Sequence, residues 1–141
     1  MAARVLPLPL KIPGNARLSA VLCLLYPVAD ELHILLMKRK EDRSAHSGQV
    51  SFPGGRHEDD DASLEATALR EATEEVGISI ADVEILGQLT PLYIPVSNFQ
   101  VYPFVAYTSQ RPLYILSENK VAYIMEIPVS SLFHEATKTV T

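Results

Sequence analysis

Three glutamates crowd into little more than one helical turn in the run Arg70-Glu71-Ala72-Thr73-Glu74-Glu75-Val76-Gly77-Ile78. Glu71 stands three and four residues before Glu74 and Glu75, a spacing that places all three side chains near one face of a helix. Like charges at this spacing destabilise a helix by about 0.2–0.5 kcal/mol per pair. A site for a divalent cation such as Mg²⁺ or Mn²⁺, whose preferred ligands are carboxylate oxygens, explains why that cost is tolerated. The alternative is a solvated acidic face.

A glycine turn precedes these glutamates at a fixed distance. The run Ser51-Phe52-Pro53-Gly54-Gly55 brings a short strand to an abrupt stop, and Gly55 stands 16 residues before Glu71. Consecutive glycines allow positive φ and a close approach of the backbone to a ligand. Alone, this run indicates a plain turn between a strand and a loop. Beside the glutamates, it predicts that a backbone carbonyl of Gly54 or Gly55 faces the same cation.

The segment before the glutamates is typical of an amphipathic helix, predicted from Ala62 to Val76. Apolar residues recur every three or four positions and define a stripe that faces the core. The acidic run 59–61 is expected to cap the helix start and otherwise to be solvated. Gly77 is expected to end the helix in the left-handed conformation.

Most of the remaining apolar runs are typical of strands. A hairpin is predicted at residues 27–31, and residues 128–132 are expected to open a second, short helix with Pro128 near its first turn. Because strands outnumber helices, the pattern predicts an α/β or α+β sandwich. The predicted strands are Ser19–Tyr26, Leu32–Met37, Gln49–Phe52, Glu84–Leu89, Val101–Thr108, Leu113–Leu116 and Val121–Ile127.

Length and composition limit the class of protein. The chain has 141 residues, 48% of them hydrophobic, and a net charge of −5, which predicts one domain with a real core and argues against a basic nucleic-acid-binding surface. Cys23 is the only cysteine, so no internal disulfide can form, which favours a reducing compartment such as the cytoplasm. The apolar run around Cys23 is too short to span a bilayer. Residues 1–15 are expected to form an N-terminal extension.

The segment Gly55–Ile78 resembles the Nudix box, G-x5-E-x7-R-E-U-x-E-E-x-G-U, in which U is a bulky aliphatic residue. The second half of the pattern is matched by Arg70, Glu71, Glu74, Glu75, Gly77 and Ile78. In the first half the acid is Asp61, and eight residues instead of seven separate it from Arg70. The resemblance covers residues 16–132 and implies an α/β/α sandwich with a mixed β-sheet and the Nudix loop and helix.

Further residues resemble the coenzyme A pyrophosphatase branch of these hydrolases. They are His46–Gly55, Thr67–Ala72, the strand start Arg17–Leu22, and Leu35, Leu36 and Arg39. The inserted residue before Arg70 fits this branch as well. Members of the branch usually continue with a strand and a C-terminal helix, so the chain is expected either to be a piece of a longer protein or to be a short member.

The resemblance implies a small-molecule nucleoside diphosphate substrate, cleaved by water with the help of Mg²⁺ or Mn²⁺. Glu71, Glu74 and Glu75 are the implied catalytic residues and metal ligands, together with the carbonyl of Gly55. Glu71 and Glu75 are the expected principal ligands, Glu74 is expected to assist, and Glu71 is alternatively the general base. Arg70, Gly54 and Gly77 are expected to be structural. Many family members offer another acid on a late loop; Glu118 is the candidate here, because Lys120 stands where the branch often has a glutamate.

Cationic and aromatic residues before the glycine turn are candidates for substrate binding. Arg39 and Arg43 suit phosphate recognition, His46 either binds substrate or braces the turn, and Phe52 completes the set. The alternative for the cations is a solvated loop.

Three functions therefore stay open: a coenzyme A diphosphatase, a Nudix hydrolase for ADP-ribose, a dinucleotide or a nucleoside triphosphate, and a non-catalytic nucleotide sensor. No nucleic-acid or membrane partner is expected, and a homodimer is left open.

Overall fold

A computed structural model describes residues 6–7, 12–41 and 48–132 of the chain. Arg43 and His46, two of the predicted substrate-binding residues, lie outside the described residues. In these described residues, helix α1 (Leu64–Val76) and a second helical segment at residues 129–132 accompany nine strands. The strands are β1 (Leu6–Pro7), β2 (Arg17–Val28), β3 (Glu31–Arg39), β4 (Val50–Ser51), β5 (Gly54–Arg56), β6 (Glu84–Gln88), β7 (Leu92–Ile94), β8 (Phe99–Tyr107) and β9 (Val121–Pro128).

The strands form one mixed sheet, as the sequence predicts. Its main path runs β1-β7-β8-β2-β3-β4, while β5 also pairs with β2, β6 with β8 and β9 with β3. Strands β2 and β8 are parallel, and the other described pairs are antiparallel. Gly54 and Gly55, predicted to form a turn with positive φ, instead begin strand β5, and neither has a positive φ. The pairing of β5 with β2 holds these glycines against the centre of the sheet.

Alternation along the central strands gives the sheet two apolar faces. Because successive side chains point to opposite faces, Ala20, Leu22, Leu24 and Tyr26 of β2 pack in the core. The same core takes Ala68, Ala72 and Val76 from α1, so the helix covers this face of the sheet. The residues between them on β2, Val21, Cys23 and Leu25, line a cavity instead.

Helix α1 begins two residues later than the sequence predicts, and a different residue caps it. The N-cap is Ser63, whose Oγ accepts a hydrogen bond from the backbone N–H of Ala66 at 3.0 Å. The acidic run 59–61 therefore does not cap the helix. Ala62, predicted to be the first residue of the apolar stripe, is exposed before the helix begins. The predicted C-terminus is correct, because Gly77 adopts φ +71° and donates its N–H to the carbonyl of Thr73.

The predicted strand Leu113–Leu116 is wrong, although its residues do alternate between exposed and half-buried. This segment pairs with the end of α1 instead of with a strand. Ile115 N–H donates to the carbonyl of Val76 at 3.0 Å, and Ser117 N–H donates to the carbonyl of Glu75 at 2.9 Å. The last carbonyls of a helix have no partner within the helix, and the segment supplies partners for two of them.

One other prediction needs adjustment and two are supported. Between the predicted strands Glu84–Leu89 and Val101–Thr108, the structure contains a further strand, β7, which turns into β8 through Asn98. The predicted hairpin at 27–31 is present, with Val28 paired to Glu31. Residues 129–132 are helical, as expected after Pro128. Among the described residues, no helix is long and apolar enough to cross a membrane.

Candidate active site

Two of the three clustered glutamates are buried, and the third is not. Glu71 is 9% exposed and Glu75 is 1% exposed, whereas the side chain of Glu74 keeps 46% of its surface in solvent. The helix therefore directs Glu71 and Glu75 inward at positions that an amphipathic pattern reserves for apolar residues. This corrects the expectation of one shared face: the buried pair and the exposed glutamate have different surroundings.

Glu75 joins the helix to the glycine turn and to the end of β3. Its Oε1 accepts a hydrogen bond from Gly54 N–H at 2.9 Å, and its Oε2 accepts one from Arg39 Nη1 at 3.2 Å. Arg39 Nη2 also donates to the carbonyl of Gly54 at 3.0 Å. Three segments far apart in the sequence thus meet at one carboxylate. Arg39, predicted to bind substrate, uses two of its N–H groups inside the protein.

Glu71 lies directly against Gly55. A Cβ atom added at Gly55 would stand 2.1 Å from Oε2 of Glu71, so any other residue here would force this carboxylate to move. The other oxygen, Oε1, accepts a hydrogen bond from Arg70 Nη1 at 2.9 Å. At Gly54, an added Cβ would meet the carbonyl oxygen of Ala20 at 2.4 Å, because β5 pairs closely with β2 there. The two glycines are therefore small for different reasons: Gly54 allows the close pairing of β5 with β2, and Gly55 leaves space for the carboxylate of Glu71.

Burial changes the acidity of both glutamates. Removal from water raises the pKa of Glu75 to about 7, and the nearby Arg39 and the Gly54 N–H only partly oppose that effect. Burial likewise raises the pKa of Glu71, while Lys120 and Arg70 act in the opposite direction. Such desolvated carboxylates gain most from a cation that is brought to them.

Arg70 and Asp61 form a clamp that holds the loop before α1. Arg70 donates from Nε to Oδ1 of Asp61 at 2.8 Å and from Nη2 to Oδ2 at 2.9 Å. Thr67 Oγ1 donates to the same carboxylate at 2.8 Å, as does Glu58 N–H at 2.9 Å. Asp61 is therefore not part of a solvated run, and the ion pair with Arg70 lowers the pKa of its carboxyl group well below the usual range. The inserted residue leaves the acid in contact with the arginine.

The cavity beside these groups has a volume of about 1160 Å³. Apolar side chains of β2, β3, β7 and β8 form most of its wall. Its polar wall contains Glu71, Glu75, Gly54, Gly55, Arg39, Arg56 and Lys120, and Phe52 also lines it. Glu118 is exposed at the turn before β9 and is absent from this wall. Lys120 stands at the wall instead, and the sequence signalled it only as a departure from a pattern.

The chemistry of these donors suits a hard divalent cation. Glu71 and Glu75 offer carboxylate oxygens beside the Gly54-Gly55 backbone, and carboxylate oxygens are the ligand type that Mg²⁺ and Mn²⁺ prefer. Within the described ranges, however, no three acidic, histidine or cysteine side chains converge as a ready-made metal site. The reason is visible in the contacts: Glu75 is held by Arg39, and Glu74 extends into solvent.

A family model for the NUDIX domain matches residues 16–132. The chain belongs to the Nudix family. Proteins of this family generally need divalent metal ions. The match spans the glycine turn, the clamp and helix α1, so the geometry described above belongs to the part of the chain that defines the family.

Curated relatives share the family name and a substantial part of the sequence. The chain is 41% identical over 125 residues to a Nudix hydrolase called NudL from Yersinia enterocolitica, covering 87% of this chain and 62% of that protein. It is 45% identical over 116 residues to NudL of an Enterobacter species, covering 82% of this chain and 59% of the relative. The chain thus spans about 60% of the length of these relatives.

Solved structures confirm the fold. An Ap4A hydrolase from C. elegans in a binary complex superposes with a TM-score of 0.68 at 18% identity, covering 84% of this chain and 86% of that one. The Nudix domain of NrtR from Shewanella oneidensis, solved with ADP ribose, superposes with a TM-score of 0.65 at 18% identity, covering 92% of this chain and 91% of that one. At these identities the likeness concerns the architecture alone.

Proposed function

We propose that the chain forms the catalytic part of a metal-dependent hydrolase that cleaves the diphosphate of coenzyme A or its thioesters. The products are 3′,5′-ADP and 4′-phosphopantetheine or its acylated form. The observation that carries this proposal is the buried pair Glu71 and Glu75, held against the Gly54-Gly55 turn at the wall of the cavity. Two carboxylates buried at a cavity wall are costly for the fold unless they are used.

Each residue of the site has a part in this reaction. Glu71 and Glu75, with the carbonyl of Gly55, would be the principal ligands of the cation, and Glu74 would assist them. A bound divalent cation supplies charge neutralisation for the diphosphate and a more acidic water. Glu71 is alternatively the general base, because burial raises the pKa of its carboxyl group and so makes the carboxylate more basic. Arg70 positions the loop through Asp61 and does not contact the reacting atoms.

Coenzyme A is favoured over other nucleoside diphosphate derivatives by two features of the sequence. The glycine turn is preceded by Ser51-Phe52, and one residue is inserted between Asp61 and Arg70. Both belong to the resemblance with the coenzyme A branch. The relatives called NudL are described only as Nudix hydrolases, so the proposal of coenzyme A as the substrate depends on these sequence features.

The test compares wild type with Glu71→Gln and Glu58→Gln in the presence of Mg²⁺ or Mn²⁺. Coenzyme A, ADP-ribose and NADH are supplied separately, and the products are separated by chromatography. We expect coenzyme A to be the best substrate and Glu71→Gln to lower kcat by at least about a hundredfold. Glu58→Gln, an exposed carboxylate 3.8 Å from Arg70, is the control and should stay within about threefold.

Each other result has a definite meaning. Preference for ADP-ribose or NADH would assign the chain to another Nudix substrate. Binding of these nucleotides without turnover, both by this chain and by a version extended to the length of the relatives, would favour the sensor. A fully active Glu71→Gln variant would contradict the placement of the metal site.

A further inference from the structure

Lys120 is held beside the glutamates by backbone contacts that do not depend on its side chain. Its N–H donates to the carbonyl of Ser117 at 3.2 Å, and its own carbonyl accepts from Lys40 N–H at 3.0 Å. Ser117 in turn donates its N–H to the carbonyl of Glu75 at 2.9 Å. The turn 117–120 is therefore fixed both to the end of α1 and to the end of β3, the two elements that carry Glu75 and Arg39.

The ammonium group of Lys120 lies over the acidic part of the cavity wall. Its Nζ is 3.9 Å from Oε2 of Glu74, and the residue lines the same cavity as Glu71 and Glu75. Both members of this ion pair are about half exposed, at 51% and 46% of their side-chain surface. Such an exposed pair contributes only about 0–1 kcal/mol to stability. Lys120 thus loses little when it leaves Glu74 for another anion.

The two arginines that contact the buried glutamates are already engaged within the protein. Arg39 is bound to Glu75 and to the carbonyl of Gly54, and Arg70 is bound to Asp61, Glu71 and the carbonyl of Arg56. Lys120, in contrast, is half exposed, is loosely paired and lines the cavity. A lysine ammonium binds phosphate oxygens as a compact point charge.

We infer that Lys120 is a diphosphate-binding residue of this site, and that its charge also limits how tightly the glutamates hold a divalent cation. This inference rests on the proposed function, because it places a phosphate group between the glutamates and Lys120. Without substrate, the ammonium repels a cation at Glu71 and Glu74. With substrate present, it moves from Glu74 to a phosphate oxygen that the cation also neutralises. Lys120 therefore favours cation and substrate together over the cation alone.

Two affinities that should move in opposite directions test this role. The first is the Kd for Mn²⁺ alone, measured on metal-free protein by titration calorimetry. The second is the Kd for ADP, which carries the nucleoside diphosphate common to the coenzyme A, ADP-ribose and dinucleotide substrates, measured at saturating Mn²⁺. In Lys120→Met we expect Mn²⁺ to bind about 3- to 10-fold more tightly, because a nearby positive charge is gone. We expect ADP to bind roughly tenfold more weakly, because a charge-assisted contact is lost.

Two further variants serve as controls. Lys120→Arg keeps the charge, so both Kd values should stay within about threefold of wild type. Lys40→Met makes the same change of charge at an exposed neighbour that does not line the cavity, and neither Kd should change. A purely structural role for Lys120 would weaken both ligands together or change neither.

The outcomes separate this inference from the proposed function. Unchanged Kd values in Lys120→Met, a shift of both in one direction, or a wild type that does not bind Mn²⁺ would each overturn the role of Lys120. If wild type cleaves coenzyme A while Lys120→Met binds Mn²⁺ and ADP with wild-type affinity, the proposed function stands and the inferred role of Lys120 is wrong. If the two Kd values move as expected but coenzyme A is not cleaved, the role of Lys120 stands and the substrate is wrong.

Discussion

At the scale of single residues, the site depends on what each carboxylate oxygen touches. One carboxylate oxygen of Glu75 accepts a hydrogen bond from Gly54 N–H, and the other accepts one from Arg39. Glu75 therefore connects separate segments of the fold in addition to its expected role as a metal ligand. Glu71 has Arg70 on one oxygen and Gly55 against the other. Because both oxygens of Glu75 already have protein partners, Glu71 is the better placed of the two to accept a cation.

The contact between Gly55 and Glu71 gives a direct prediction. Gly55→Ala would place a methyl group 2.1 Å from Oε2 of Glu71, so the carboxylate must move away. A displacement of about 1 Å can cost roughly a hundredfold in rate, and we expect a loss of that size in kcat/KM. Overpacking should also lower the free energy of unfolding by about 1–3 kcal/mol. Both quantities are measured by steady-state kinetics and urea denaturation.

Gly87→Ala is the matched control for this change. Nothing lies within 4 Å of a Cβ atom added at Gly87, so its activity and stability should match wild type. Equal activity in Gly55→Ala and wild type would show that Glu71 tolerates displacement and is not the residue that sets the rate.

At the scale of elements, the turn between β2 and β3 contains backbone strain that a substitution can relieve. Ala29 and Asp30 have φ values of +50° and +65°, the left-handed geometry of a two-residue hairpin turn that favours Asn-Gly. Ala29 is exposed, and a non-glycine residue in this conformation costs about 1 kcal/mol. We therefore expect Ala29→Gly to raise the free energy of unfolding by up to about 1 kcal/mol, as measured by urea denaturation.

Asn98→Gly is the contrasting variant for this prediction. Asn98 has a similar φ of +55°, but its side chain accepts a hydrogen bond from Tyr93 Oη at 2.7 Å and donates to the carbonyl of Asn15 at 3.3 Å. Losing these contacts should outweigh the relief of strain, so this variant should be less stable than wild type. If Ala29→Gly does not raise the free energy of unfolding, backbone strain at Ala29 does not limit the stability of this turn.

How far the sequence predicted the elements depends on whether their partners are local. The end of α1 at Gly77 and most strands follow from neighbouring residues, and the structure confirms them. Gly54 and Gly55, expected in a turn, lie in strand β5 instead, because they pair with β2 far away in the sequence. The strand expected at Leu113–Leu116 failed because its backbone bonds to the end of α1, which periodicity does not report. The pairing of Arg39 with Glu75 joins positions 36 residues apart, and Lys120 reaches Glu74 from beyond the helix. Such contacts depend on sheet topology, which one sequence leaves open.

At the scale of the whole molecule, the buried glutamates link stability to pH and to metal. Burial raises the pKa of Glu75 from 4.5 to about 7, so the folded protein holds a proton there more tightly than the unfolded chain does. A group of this kind contributes stability that is fully present below pH 4.5 and is lost as the pH rises through about 7. A cation that takes the place of the proton should reverse this loss, because ligands that bind only the folded state stabilise it.

We therefore expect metal-free wild type to lose roughly 1–3 kcal/mol of unfolding free energy between pH 5 and pH 7.5 through Glu75. The Glu75→Gln variant has no titratable group at this position. The loss of unfolding free energy over the same pH range should therefore be smaller in the variant by the contribution of Glu75. Urea denaturation of both proteins in EDTA measures the difference between them, which removes contributions from other groups. Adding Mn²⁺ at pH 7.5 should then restore the stability of wild type more than that of the variant. Parallel pH curves for the two proteins would mean that Arg39 and Gly54 N–H keep Glu75 ionised across this range, and that the cation has no proton to displace there.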